Sequence, residues 1–89
     1  MAYPVETRGV EEQQHPFYVI RYVIKNGDEE LLASVARYVH TRQGGRVQFL
    51  EPDLRKIRSM PDPVKQMSEV ERVIKNEGAR LAEEAKNKK

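Results

Sequence analysis

"DEELLASVARYVHTRQGGRVQFL", residues 28–50, is the stretch on which the fold turns. Leu31, Leu32, Val35, Ala36 and Val39 recur at the spacing of one helical face, while Ser34, Arg37 and Thr41 point the other way. Asp28, Glu29 and Glu30 complement the positive end of a helix dipole, and Asn26 or Asp28 can cap it. Gly44 or Gly45 supplies the left-handed residue on which helices commonly stop. The pattern predicts a helix that ends at the double glycine. A strand over 46–50 follows, with Val47 and Phe49 on one face.

Upstream, "FYVIRYVIK", residues 17–25, is rich in β-branched and aromatic side chains and reads as a strand. Alternation puts Tyr18, Ile20, Tyr22 and Ile24 on one face and Phe17, Val19, Arg21 and Val23 on the other. Both faces are largely apolar, which predicts a central strand covered on both sides. Arg21 interrupts this, and must snorkel to an edge or meet a carboxylate or phosphate. The first residues, "MAYPVETRGVEEQQHP", show no period and read as an arm, mobile in isolation and ordered against a partner.

Downstream, "EPDLRKIRSM" is ambiguous: Pro52 and Asp53 can start a helical turn, or 54–58 can continue as an extended edge. Asp62 then suits an N-cap and Pro63 the first position of a long helix running to Ala85. Its apolar positions are Val64, Met67, Val70, Val73, Ile74 and Leu81. Beyond Ile74 the stripe thins at Glu77 and Gly78, so the last turns are expected to project and to end in the basic tail "KNKK".

These elements predict a small α+β or α/β fold of order β-α-β-α. Its parts are an arm (1–16), a compact domain (17–76), and a projecting helix end with the tail (77–89). Two strands do not make a stable sheet. A third has to come from the arm, from 54–58 or from a second copy, and a homodimer or a subunit of a larger assembly is the expectation.

Length and composition agree with one small domain. Leu, Ile, Val and Phe make up 21 of 89 residues, enough apolar material for a core. The absence of cysteine excludes disulfides, thiolate metal sites and thiol chemistry, and favours a cytoplasmic over a secreted protein. Phe17 to Ile20 is the longest strongly apolar run, too short for a signal-peptide core or a membrane span. Abundant Glu, Lys and Arg without Cys or Trp suits a heat-adapted protein.

Charge is unevenly spread. Residues 1–30 carry three basic and six acidic side chains, residues 31–60 carry six and two, and the last 29 carry seven and six. The surplus lies around the double glycine. A backbone phosphate cradle there fails, because such loops precede a helix, whereas Gly44 and Gly45 follow the predicted one. Gly27 precedes that helix but is crowded by three acids. What survives is a side-chain reading: Arg37, Arg42, Arg46, Arg55, Lys56 and Arg58 form a basic segment that can contact the phosphates of DNA or RNA. The bland alternative is a solvated surface, with Arg42 also complementing the dipole at a helix end.

Tyr18, Tyr22 and Tyr38 can be stacking platforms for bases, but sharing a face with Ile20 and Ile24 marks Tyr18 and Tyr22 as core, and Tyr38 as rim. His15 and His40 lie 25 positions apart without ligand spacing and read as surface residues. Serines 34, 59 and 68 lack a nucleophile-elbow context, and the adjacent acid pairs point apart on a helix. The expectation is a non-catalytic nucleic-acid-binding protein with little sequence discrimination and without metal, cofactor, small-molecule substrate or membrane. The competing class is a structural or adaptor subunit that uses its arm and long helix.

Overall fold

The computed structural model describes residues 2–87. Four strands come first and two helices last: β1 (Val5–Gln14), β2 (Phe17–Asn26), β3 (Glu29–Thr41), β4 (Gly44–Phe49), α1 (Glu51–Arg58) and α2 (Pro63–Asn87). The class is α+β, as expected, but the order is not β-α-β-α. The strands form one antiparallel sheet in sequence order, each joined to the next by a two-residue turn.

The predicted helix over 28–41 is β3, the longest strand. The reason lies in the spacing that suggested a helix. Leu31, Val35 and Val39 are four apart, as are Leu32 and Ala36, and a step of four keeps a residue on one face of a helix and also of a strand. Register decides between them. Asn26 pairs with Glu29 across Gly27 and Asp28, and the pairing continues to Phe17 opposite Val39. Asn-Gly before a positive φ of 63° at Gly27 is a hairpin signal, which the three following acids masked. At the other end Gly44 has φ 118° and closes the β3–β4 hairpin, where a helix stop was expected.

Residues 5–14 of the expected arm form β1, so the third strand comes from within the chain. β1 carries irregularities on both sides of Val10, with Gly9 at φ 93° in the first. Such bulges blunt an edge strand. Upstream of β1, the Tyr3 backbone N–H donates to Gln66 Oε1 at 2.7 Å, and Gln66 Nε2 donates back to the Tyr3 carbonyl at 3.0 Å. This fully buried amide ties the start of the chain to α2.

Both helices lie on one sheet face. Tyr18, Ile20, Tyr22 and Ile24 of β2 and Leu32, Ala36 and Tyr38 of β3 pack there against Ile57, Val70, Ile74, Leu81 and Ala82. The ambiguous 51–60 segment is therefore a short helix, with Asp53 and Ile57 turned inward one turn apart. The projecting end expected for 77–89 is corrected as far as Lys86: Gly78, Leu81 and Ala82 are buried. Gly78 breaks the apolar stripe because a side chain there has no room; a Cβ would come within 2.3 Å of the Tyr38 ring. Gly45 meets the same ring from β4, also at 2.3 Å. Tyr38 is thus a core residue seated between two glycines, not a rim residue. Lys88 and Lys89 of the expected tail lie outside the described residues. Among the described residues no helix is long and apolar enough to cross a membrane.

Candidate nucleic-acid interface

With α1 and α2 on one face, the other face of the sheet is open among the described residues. Cross-strand register assembles it in rows. Gln14, Phe17, Val39 and Arg46 stand side by side across the four strands, and Glu12, Val19, Arg37 and Gln48 form the next row. Phe17 keeps 52% of its surface exposed, and Arg37, Arg46 and Gln48 are exposed as well. Two shallow hollows, of ≈ 290 and ≈ 240 Å³, meet at Val19 and Arg37. One reaches Gln14 and Phe17 on the β1 side, and the other reaches Gln48 and Leu50 on the β4 side. The two hollows thus flank the Val19–Arg37 pair on the open face.

The other end of the same face is closed by ion pairs. Arg8 Nη2 lies 3.1 Å from Glu6 and 3.6 Å from Glu30, reaching from β1 across β2 to β3. Arg21 Nε donates to Glu11 at 3.3 Å. Arg8, Arg21 and Glu30 border a hollow that also includes Val23, which is only 4% exposed although it points away from the helices. The expectation that both faces of β2 are covered is met there by salt-bridged side chains and is not met around Phe17.

Arginine pairing follows the same division over the whole chain. Of nine arginines, Arg8, Arg21, Arg72 and Arg80 have carboxylate partners. Arg72 holds Glu69 at 2.6 Å on α2, keeping that carboxyl below its ordinary range, and Arg80 bridges Glu77 and Glu84. Among the described residues, Arg37, Arg42, Arg46, Arg55 and Arg58 have none, and neither does Lys56. The six candidate cations are thus free of ion pairs, but they do not share one surface. Arg37 and Arg46 sit diagonally on the open face, and Arg42 is exposed in the turn of the same hairpin. Arg55, Lys56 and Arg58 belong to α1 in the helical layer, and Arg58 borders the groove between the helices. The chain leaves the sheet at Leu50, which separates the two groups.

Two further clusters were invisible in the sequence. Asp53 Oδ2 accepts from Ser34 Oγ at 2.5 Å and from the Tyr22 hydroxyl at 3.4 Å, pinning α1 to the sheet. Burial first, then the Asp53 charge and hydrogen bond, hold the Tyr22 phenol well above its ordinary value, with Ser34 opposing. His15 and His40, expected as isolated surface residues, have ring centroids 6.0 Å apart. His15 Nδ1 is hydrogen-bonded to the Tyr18 hydroxyl at 2.6 Å, and His40 Nδ1 to that of Tyr38 at 2.9 Å. Burial raises both phenols, and for Tyr38 the neighbouring Tyr18 adds to it.

Against protein-family models, curated proteins and solved structures, the chain finds no match. Its chemistry has to be read from its own groups. Among the described residues there is no group of three or more His, Asp or Glu side chains placed to hold a metal ion. What the two rows of the open face offer is two guanidinium groups without counter-ions, an exposed ring, two amides and one carboxylate, Glu12, on a four-stranded sheet. Phe17 was missed as a surface residue because alternation separates faces without saying which face the helices take. The one sequence signal was Arg21, two pairs along on the same side.

Proposed function

We propose that the protein binds nucleic acid without catalysis, gripping phosphates with little sequence discrimination. The single observation behind this is the division among the arginines. Four find carboxylates inside the chain, while all five between residues 37 and 58 are left without one. A chain that pairs its arginines elsewhere, and carries Glu12, Glu51 and Glu71 free of ion pairs, leaves this set for an external anion. Guanidinium groups suit phosphate because their planar fork donates two parallel hydrogen bonds. Arg37, Arg42 and Arg46, on one hairpin, form the main contact. Arg55, Lys56 and Arg58 extend it around the β4 edge or attract the polyanion at long range.

The test is fluorescence anisotropy of labelled non-specific DNA and RNA over a salt series. Binding is expected at low salt and should weaken steeply as salt rises, because each neutralised phosphate releases counter-ion. Replacing Arg42 and Arg46 together by Ala should weaken binding to every sequence alike and flatten the salt slope by up to about two units. No binding at low salt, or an unchanged slope in a folded double variant, overturns the reading.

A second reading, an adaptor subunit, has one observation in its favour. The groove between α1 and α2 is lined by Ile57, Pro63, Val64 and Met67, and Val64 is 77% exposed. The arm and the long helix, on which an adaptor was expected to rely, are used inside the fold. An adaptor would therefore have to use this groove, and Val64→Glu should abolish it while leaving nucleic-acid binding unchanged.

A further inference from the structure

We infer that the nucleic acid held on this face is a single strand running along the strand direction, one nucleotide to each cross-strand row, with a base on Phe17 and its phosphates over Arg37 and Arg46. The inference rests on the phosphate-binding reading above and adds the class of ligand.

The arrangement of the two rows carries it. In both, the cation lies on β3 or β4, and the apolar contact lies on β2 with an amide or carboxylate beyond it on β1. One row is Gln14, Phe17, Val39, Arg46; the next is Glu12, Val19, Arg37, Gln48. A nucleotide has the same polarity, a phosphate at one end and a flat, apolar-faced base with hydrogen-bonding edges at the other. Laid over the rows, phosphates fall on Arg37 and Arg46, bases on Phe17 and Val19, and base edges on Gln14 and Glu12. Neighbouring strands lie about 4.8 Å apart, so the four axes span roughly 14 Å. A sheet of four strands accommodates about two or three splayed bases.

A duplex fits this face poorly. Its bases are stacked and paired inside, and only its phosphate edge could reach a flat sheet, leaving the Phe17 ring without a partner. Glu12 would then stand against the backbone and repel it. With bases turned inward, Glu12 instead accepts hydrogen bonds from exocyclic amines, which sets a mild preference for amine-bearing bases. A second copy of the chain docked face to face fits the charges less well. It would bring Glu12 as the one carboxylate near Arg37 and Arg46, leaving a guanidinium desolvated without a partner in each subunit.

The experiment compares a labelled single-stranded oligonucleotide with its duplex at equal salt, in the full chain and in three variants. The single strand is expected to bind at least about tenfold tighter than the duplex. Phe17→Leu keeps apolar bulk but removes the π-face, and should weaken single-strand binding about tenfold, with the duplex and the salt slope unchanged. Phe17→Tyr should restore it. Glu12→Gln should tighten single-strand binding on an amine-free sequence. Equal binding of single strand and duplex, with no effect of Phe17→Leu, overturns this inference while leaving the phosphate reading intact. Failure to bind either one overturns both. Light scattering that shows a dimer dissociated by Phe17→Leu, without single-strand binding, overturns it in favour of a second copy.

Discussion

β2 carries two apolar faces, and comparing them separates what stabilises this protein from what it presents. Tyr18, Ile20, Tyr22 and Ile24 are all fully buried under the helices. One residue out of phase, Val23 is buried beside salt-bridged side chains, Val19 is half-buried, and Phe17 and Arg21 are exposed. The residue types on the two faces hardly differ. The difference is that α1 and α2 have a single sheet face to cover, and the chain spends both on the same one. On the other face Phe17 stays half exposed, and it is this residue that the proposed single strand would cover.

Substitutions on the two faces should differ accordingly. Ile20→Asp places a carboxylate among Tyr18, Tyr22 and α2 without a partner, and should abolish the cooperative melting transition at 25 °C. The loss of several kcal/mol approaches the whole stability expected of so small a domain. Val19→Asp, one position away, should leave a normal transition; if it unfolds the chain as well, the open face is covered in the native protein.

Truncation after Asn76 comes next. It removes Gly78, Leu81 and Ala82 from over Tyr38, and the exposed ring and lost contacts should cost about 3–5 kcal/mol, read as a broadened, lowered melt by circular dichroism. Gly78→Ala sharpens the point. Helix propensity alone would favour it by about 1 kcal/mol, yet the added methyl meets the Tyr38 ring, so a net loss is expected. A gain would mean that the ring moves aside freely.

Asp53→Ala leaves the Ser34 and Tyr22 hydroxyls under α1 without an acceptor and should cost about 1–3 kcal/mol by urea denaturation. An unchanged midpoint would show that the Asp53 hydrogen bonds are dispensable and that Ile57 alone holds α1 on the sheet.

Alkaline pH probes the same face more gently. Burial raises the phenols of Tyr18, Tyr22 and Tyr38 above their ordinary value of 10.0. The folded state therefore keeps protons that the unfolded chain releases. This contribution is fully present below about pH 10 and is lost as pH rises through the folded values. Tm should fall above about pH 10, with phenolate absorbance from these residues appearing together with unfolding. Phenolate that appears well before the melt would mean the rings are accessible in the native state.

Local composition made several features legible. β2 was readable because its β-branched and aromatic run suits no other element, and α2 because its start at Pro63 and stripe through Ile74 are helical. The surplus of cations around residues 37–58 was visible as simple arithmetic, and among the described residues its arginines are the ones left without carboxylates. β3 was misread because a step of four satisfies both periods, so its identity rested on a partner strand that no local pattern reveals. β1 lacked any apolar period because its edge position and bulges leave little of it to bury. Gly45 and Gly78, 33 positions apart, looked like a helix stop and a stripe defect until the Tyr38 ring stood between them. Local propensity is a property of neighbours in the chain, and it settled which segments could be strands or helices. Which face of β2 the helices cover, and therefore whether Phe17 is core or contact, depends on long-range packing. That choice was made by the glycine seats, the Asp53 anchor and the Gln66 tie, which all lie on one side of the sheet.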